Sequence, residues 1–158
     1  MKEDERGQLL SSLKLSSDDI EITNESLGVG GFGAVHLGRY RGTPVAVKSA
    51  RDMKGDERVI RDMQNELLIM KLLDNHTNIV IIYGHFEDRR NGFQIVMEKA
   101  EYGPLSKILY DKKLFPHLHS ILCLSWLNDI ISALERLHSR QVKHRDIKAQ
   151  NVLVFPQF

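Results

Sequence analysis

A glycine-rich segment between two apolar runs is the feature that most constrains the fold of this chain. Residues 28–35 read GVGGFGAV and fit the pattern G-x-G-x-x-G-x-V. Glycines let a backbone turn tightly and approach phosphate oxygens with no side chain in the way. A dinucleotide-binding loop shares the first six positions, but a helix follows it. Here Val35 leads into Leu37 and a turn at residues 38–42, which favours a β-hairpin over phosphates; a merely flexible turn is the alternative.

The remaining periodicity predicts strands and helices in a defined order. Short or alternating apolar runs indicate strands, and apolar residues at three- and four-residue steps indicate helices. Three strands are predicted within residues 19–49 and two more at 79–86 and 93–97, with helices at 56–73, 105–110 and 120–138. For the polar, serine-rich residues 1–17, a short helix and a disordered leader both remain open. Five strands with one inserted helix, followed by helices, indicate an α+β fold with two lobes.

Two charged residues on separate elements explain each other. Lys48 ends the apolar strand after the glycine-rich hairpin, where its ammonium could meet phosphates; taken alone, a surface lysine at a strand end would be the favoured interpretation. Glu66 lies on the predicted helix, on the face that Met63 and Met70 share. Because a carboxylate on an apolar face is costly unless it finds a cation, we expect Glu66 to pair with Lys48.

The most specific motif is HRDIKAQN at residues 144–151, followed by a short apolar run. Asp146 suits a base that accepts a hydroxyl proton, and Lys148 suits contact with a γ-phosphate. Asn151 suits a Mg²⁺ ligand. Together with the three motifs before it, this segment indicates phosphoryl-transfer chemistry.

With these four motifs in this order, the chain resembles a eukaryotic-type protein kinase domain from about residue 20 to about residue 154. The resemblance implies an α+β, protein kinase-like fold. It comprises a complete five-stranded N-lobe with one inserted helix, then the first helices and the catalytic loop of the C-lobe. The implied boundaries are a polar N-terminal tail at 1–18 and a partial kinase domain at 19–158, divided into N-lobe (about 19–97), hinge (about 98–103) and partial C-lobe (about 104–158).

The resemblance also assigns roles to residues at matching positions. The implied ATP-binding residues are Gly28, Val29, Gly30, Gly31, Phe32, Gly33, Val35, Ala46, Lys48, Met97, Glu98, Ala100 and Leu153. The glycines would cover the phosphates, Val35, Ala46 and Leu153 would enclose the adenine ring, and Met97 would take the gatekeeper position. Glu98 and Ala100 would offer the backbone hydrogen bonds of the hinge. The implied catalytic residues are Lys48, Glu66, Asp146 and Lys148, and the implied Mg²⁺ ligand is Asn151.

Substrate preference is expected to be serine or threonine. Lys148 is typical of serine/threonine kinases, whereas the hinge from Met97 to Leu105 resembles cytoplasmic tyrosine kinases. This mixture is common in the tyrosine kinase-like group, which mostly phosphorylates serine and threonine, and the chain is similar to that group.

No Asp-Phe-Gly follows Val154 in the 158 residues, so the main Mg²⁺ carboxylate of such a domain is missing from them. We therefore expect these residues to be inactive alone, and we expect the helix at 120–138 to expose an apolar surface that a protein partner could cover. Two interpretations remain open. The chain is a serine/threonine kinase sequence truncated before Asp-Phe-Gly, or it is a truncated pseudokinase that acts as a nucleotide-binding or partner-binding module.

Composition restricts the other function classes. The net charge is +1 with 27% charged residues, which argues against a dedicated nucleic-acid binder. The single cysteine, Cys123, excludes an internal disulfide and fits a reducing compartment. The N-terminus is not a signal peptide and no apolar run is long enough to span a membrane. We expect a cytoplasmic protein whose partners are ATP and a protein substrate, without nucleic acid or membrane.

Overall fold

The strand and helix order expected from the sequence is present in the computed structural model, which describes residues 3–30, 33–50, 56–73, 75–88, 91–111, 113 and 119–156. The chain divides into two compact units, Met1–Asp74 with Val80–Lys99, and Asn75–Ile79 with Ala100–Phe158. The first unit contains α1 (Glu3–Ser12), a 3-10 helix (Ser17–Asp19), β1 (Ile20–Gly30), β2 (Gly33–Tyr40), β3 (Thr43–Ser49), α2 (Glu57–Leu72), β4 (Ile82–Asp88) and β5 (Gly92–Glu98). The second unit contains β6 (Gly103–Pro104), α3 (Leu105–Leu109), α4 (Ser120–Ser139), a 3-10 helix (Ala149–Asn151) and β7 (Leu153–Val154).

The first unit is built on a five-stranded antiparallel sheet in the order β1-β2-β3-β5-β4. Tyr40 pairs with Thr43, so only Arg41 and Gly42 connect β2 to β3. Both residues have positive φ, 49° and 82°. A two-residue loop with two positive φ angles is a type I′ turn, whose twist matches that of the flanking strands. This turn therefore fixes the register of β2 against β3.

Apolar side chains cover both faces of this sheet, because successive residues of a strand point to opposite sides. On one face, α2 packs Met63 and Leu67 against Ile95 and Phe93 of β5. The opposite face carries a second buried cluster of Val45, Val47, Phe86 and Val96. Asp56 caps α2 by accepting a hydrogen bond from the Arg58 N–H at 2.9 Å. The cap and the apolar stripe together place α2 across the sheet.

The residues before β1, for which the sequence left two possibilities, form the helix α1 and a short extended segment. Leu13, just after α1, is buried in the cluster that contains Met63 and Leu67. Lys14 forms a parallel bridge with His85 of β4. Residues 3–16 therefore belong to the first unit.

In the second unit, a two-residue ladder holds the end of the catalytic-loop segment. Gly103 pairs with Val154 and Pro104 pairs with Leu153. The Leu105 N–H also donates to the Val152 carbonyl at 2.7 Å. These bonds fix the chain directly after the 3-10 helix Ala149–Asn151. They therefore define where the loop at residues 144–151 ends.

The long helix α4 carries an apolar stripe that remains exposed. Leu124, Leu127 and Ile131 are 64%, 53% and 56% exposed, whereas Leu137 near the end of the helix is buried. The exposure is as expected from the sequence. Among the described residues, no helix is both long and apolar enough to cross a membrane.

Candidate nucleotide and catalytic site

In the first unit, four of the predicted ATP-binding side chains lie on one face of the sheet. Directly opposite residues of antiparallel strands share a face. Val35 lies opposite Lys48, and Ala46 lies opposite Met97. Lys48 and Ala46 are two residues apart on β3, so all four point to the same side. Glu66 meets Lys48 on that side, which identifies it as the face covered by α2.

The glycine-rich segment is a β-hairpin, as the residues after it indicated. Gly28 pairs with Val35, and Gly30 pairs with Gly33. Gly33 has φ of 138°, a conformation that side chains disfavour, and a Cβ added there would lie 2.2 Å from the Ser49 carbonyl oxygen. Val29 is 56% exposed on the strand before the turn. Gly31 and Phe32 at the tip lie outside the described residues.

Replacing Gly33 with alanine is expected to lower the melting temperature of the chain. The backbone conformation alone costs about 1–3 kcal/mol for a non-glycine residue, and the overlap with a backbone carbonyl adds to that cost. Gly28→Ala is the matched control, because a Cβ there meets nothing within 4 Å. Differential scanning fluorimetry on both variants measures the effect. Equal melting temperatures for the two variants would contradict the role of Gly33 in closing the hairpin.

Lys48 and Glu66 form the ion pair that the sequence suggested. Lys48 Nζ donates to both carboxylate oxygens of Glu66, at 2.5 and 2.6 Å. The Glu66 side chain is 45% exposed and that of Lys48 only 17%. Glu66 is therefore exposed on the face where Met63 is buried, so the burial cost expected for its carboxylate is small. An ion pair this exposed contributes little to stability, about 0–1 kcal/mol.

Several backbone groups at the end of β5 and just after it already have hydrogen-bond partners within their own unit. The Glu98 N–H donates to the Ile81 carbonyl at 3.0 Å, and the Glu98 carboxylate accepts the Ile81 N–H at 2.7 Å. The amide hydrogen of Glu98 is thus engaged within the first unit. At the start of the second unit, the Ala100 carbonyl accepts the Gly103 N–H at 3.3 Å. Hinge bonding would therefore use the Glu98 carbonyl and the Ala100 N–H.

In the second unit, the loop at residues 144–151 folds back on Asp146. Asn151 Nδ2 donates to the Asp146 backbone carbonyl at 2.8 Å and to its carboxylate oxygen Oδ2 at 2.9 Å. Lys148 Nζ lies 2.8 Å from the same Oδ2. Arg145 has φ of 67°, the left-handed conformation, and this reversal lets the loop close. Asp146, Lys148 and Asn151 are therefore brought together by their own loop.

These contacts lower the pKa of the Asp146 carboxyl group. The largest cause is the hydrogen bond from Lys148, followed by the hydrogen bond from Asn151. A depressed carboxyl pKa favours the folded state above the unfolded pKa, and that contribution is lost as pH falls through the folded value. Asp146 is thus held as a carboxylate at neutral pH, able to accept a proton.

The Asn151 amide fits the Mg²⁺ role that its position suggests. Both of its hydrogen bonds use the amide nitrogen, so the oxygen Oδ1 is the atom that can bind a cation. Amide and carboxylate oxygens are suitable ligands for Mg²⁺, which usually keeps several waters as well. Among the described residues, no cluster of three or more histidine, cysteine, aspartate or glutamate side chains could hold a metal. Asn151 would therefore be one ligand of an ion held largely by phosphates and water.

Leu153, the last of the predicted adenine-contacting residues, lies in β7 of the second unit. Its backbone is fixed by the pairing with Pro104. The ion pair between Lys148 and Asp146 was not expected from the sequence. The sequence does place a lysine two residues after an aspartate in a loop. This spacing alone does not predict the ion pair, because the two side chains meet only through the left-handed turn at Arg145.

Comparisons with known proteins show which family the chain belongs to. The protein kinase domain model matches residues 22–157. The mitogen-activated protein kinase kinase kinase mom-4 of Caenorhabditis briggsae is 31% identical over 143 residues, which cover 87% of this chain and 25% of that protein. The serine/threonine-protein kinase CTR1 of Arabidopsis thaliana is 32% identical over 150 residues, covering 90% of this chain and 18% of that protein. Fibroblast growth factor receptor 1 of Dugesia japonica is 31% identical over 156 residues, covering 89% and 18%. The chain thus spans a quarter or less of the length of these relatives.

Proposed function

Because the chain belongs to the protein kinase domain family, we propose that it is the ATP-binding part of an enzyme that transfers the γ-phosphate of ATP to a serine or threonine hydroxyl of a protein. The observation that carries this proposal is the Lys48–Glu66 pair. It lies on the same sheet face as Val35 and Ala46, beside a glycine hairpin. This combination provides a cation for phosphates next to an apolar surface for a base.

In this function, each group of the first unit has one task. The hairpin residues Gly28 to Gly33 cover the phosphates with backbone, which can approach closely where no side chain intervenes. Lys48 binds the α- and β-phosphates, and Glu66 holds its ammonium in place. Val35 and Ala46, which lie on the same face of the sheet as Lys48, contact the adenine. Met97, Glu98 and Ala100 determine the depth of the pocket and the backbone hydrogen bonds to the base.

The loop of the second unit provides the groups for the transfer itself. Asp146 accepts the proton of the attacking hydroxyl group and orients its oxygen, since its carboxylate is ionised at neutral pH. Lys148 is held beside it, where its charge can stabilise the γ-phosphate. Asn151 contributes an amide oxygen to Mg²⁺, which when bound supplies neutralisation of phosphate charge. Most of the rate in such reactions comes from positioning and charge stabilisation, which is what fixed side chains of this kind provide.

Two features support serine or threonine as the acceptor residue. Lys148 occupies the position at which serine/threonine kinases carry lysine. The relatives include proteins described as serine/threonine-protein kinases, among them CTR1. The tyrosine kinase-like character of the hinge sequence concerns nucleotide binding and does not determine the acceptor. A cytoplasmic location and a protein substrate are part of the same proposal.

A second candidate function rests on a specific observation. The exposed stripe of α4 at Leu124, Leu127 and Ile131 offers a surface for a protein partner. On its own, the 158-residue polypeptide would then act as a nucleotide-binding or partner-binding module.

A transfer assay separates the two candidates. The purified 158-residue chain, incubated with labelled ATP, Mg²⁺ and a general protein substrate, is expected to transfer no phosphate above a Lys48→Met variant. The physical reason is that one amide ligand positions the metal poorly. The same assay on a chain that continues into an Asp-Phe-Gly is expected to show transfer that Asp146→Asn abolishes. Transfer by the 158 residues that depends on Lys48 would contradict their inactivity, and a longer chain without Asp146-dependent transfer would contradict the kinase proposal.

A further inference from the structure

We propose that residues 3–16, called here the N-terminal clamp, position α2 so that Glu66 remains paired with Lys48, and that His85 anchors this clamp to the sheet. The inference rests on the proposed function only for what the pair does with ATP. The positioning itself is argued from contacts within the first unit.

The clamp is bound to β4 through backbone hydrogen bonds. The Leu15 N–H donates to the His85 carbonyl at 2.7 Å, and the His85 N–H donates to the Leu13 carbonyl at 3.0 Å. The two bonds form the parallel bridge at Lys14. They satisfy both backbone groups of His85 and fix the residues that follow α1.

The His85 side chain holds the end of α1. The last carbonyls of a helix lack partners within the helix. His85 Nε2 lies 2.9 Å from the carbonyl oxygen of Leu10, in the last turn of α1; because a carbonyl oxygen only accepts, Nε2 carries a hydrogen and donates to it. The ring is only 6% exposed and stacks on Phe93 with centroids 4.7 Å apart. Nδ1 is buried with no hydrogen-bond partner among the described residues. Among the described residues, the bond to α1 is therefore the side-chain hydrogen bond that offsets the cost of burying this polar ring.

The other end of the clamp contacts α2 on both sides of Glu66. Arg6 donates to the side-chain oxygen of Asn65 at 2.5 Å and lies 3.4 Å from that of Gln64. Leu13 is 8% exposed and packs in the cluster that includes Met63 and Leu67. The clamp thus contacts Asn65, directly before Glu66, and shares a buried cluster with Leu67, directly after it.

Packing, rather than the ion pair, must determine where α2 lies. The Lys48–Glu66 pair is too exposed to hold a helix of this length by itself. The buried contacts of α2 are those with the sheet and with Leu13 of the clamp. Loss of the clamp would leave α2 with fewer constraints at the level of Glu66, and the pair would open more often.

Gly84→Ala tests the clamp without altering any clamp residue. A Cβ at Gly84 would lie 2.3 Å from the Leu13 carbonyl oxygen and 2.9 Å from Leu15 Cγ, so the clamp must move away. Gly92→Ala is the matched control in the same hairpin. It also has a positive φ, 67° against 156° for Gly84, but a Cβ there meets nothing within 4 Å. Arg6→Ala is a milder second variant, with the exposed Gln8→Ala on the same helix as its control.

Two measurements report on the positioning directly. A carbodiimide adds to the Glu66 carboxyl group and activates its carbonyl carbon. The Lys48 amine attacks this carbon and forms an amide, and the carbodiimide leaves as a urea that has taken up the elements of water. The yield of this cross-link, measured by mass spectrometry, reports how often the pair is formed. Hydrogen exchange of the α2 amides reports the stability of the helix against local opening.

The proposal predicts that Gly84→Ala and Arg6→Ala lower the cross-link yield severalfold and accelerate α2 exchange by about tenfold. The amides of β3 and β5 should exchange at unchanged rates in both variants. Gln8→Ala should change no exchange rate, and Gly92→Ala, which carries backbone strain alone, should leave the cross-link yield unchanged and accelerate α2 no more than β3. Unchanged yield and exchange in both variants would overturn the proposal. So would an equal acceleration throughout the sheet, which would mean general destabilisation; if Gly84→Ala fails to fold, Arg6→Ala decides. Neither measurement involves nucleotide, so failure of ATP binding would leave this result standing.

Discussion

Replacing Leu67 with alanine will lower the free energy of unfolding by about 3–5 kcal/mol. Leu67 is fully buried between α2 and the sheet, in contact with the cluster that contains Met63 and Ile95. The substitution removes apolar contact and leaves a cavity that a β-sheet on one side and a helix on the other cannot close easily. Urea unfolding followed by circular dichroism measures the loss.

The control is a second leucine-to-alanine substitution, at an exposed position of the same helix. Leu72→Ala removes an exposed side chain and is expected to change the free energy of unfolding by no more than about 0.5 kcal/mol. A Leu67→Ala chain as stable as Leu72→Ala would mean that α2 does not pack on the sheet as described. Because α2 carries Glu66, that result would also remove the basis for the Lys48–Glu66 pairing.

Lys48→Met is expected to weaken ATP binding by about tenfold to a hundredfold. A hydrogen bond to a charged group contributes about 1.5–3 kcal/mol, and each 1.4 kcal/mol corresponds to about a factor of ten in affinity. Methionine keeps the length of the side chain and removes its charge. Titration calorimetry with Mg²⁺ and ATP on the 158-residue chain measures the change.

Lys107→Met is the matched control, since Lys107 is exposed on α3. Its affinity for ATP should equal that of the unaltered chain. Glu66→Gln should give an intermediate loss, because the ammonium remains but is no longer held by a carboxylate. Equal affinities of the Lys48→Met and Lys107→Met chains would contradict the assignment of Lys48 to phosphate binding.

The order of strands and helices was predictable because each element has a strong local signal. The α2 stripe repeats at helical steps through Met63, Leu67 and Met70, and the strands are short apolar runs separated by turn residues. The Lys48–Glu66 pairing could be anticipated from the isolated carboxylate beside that stripe. Its exposure could not, because it depends on where the side chain leaves the helix relative to β3.

The N-terminal clamp could not be predicted from the sequence. Leu9, Leu10, Leu13 and Leu15 lie among polar residues without a clear helical stripe, so local pattern alone did not separate a docked helix from a disordered leader. The segment that carries them is bound to β4 at His85, whose ring donates to the Leu10 carbonyl, 75 positions earlier in the sequence. In the same way, the contact between Lys148 and Asp146 depends on the left-handed backbone conformation of Arg145. Because this residue is not a glycine, nothing in the sequence marks that conformation.

The pairing of residues 13–15 with β4 also bears on where this chain can safely be cut. The match to the protein kinase domain begins at residue 22, so a boundary chosen from that match would remove the clamp. β4 is the outermost strand of its sheet, and the cut would expose its unpaired N–H and C=O groups at His85. Bare strand edges recruit strands from other chains. Residues outside the matched domain thus pair with part of the edge that the matched domain would leave open.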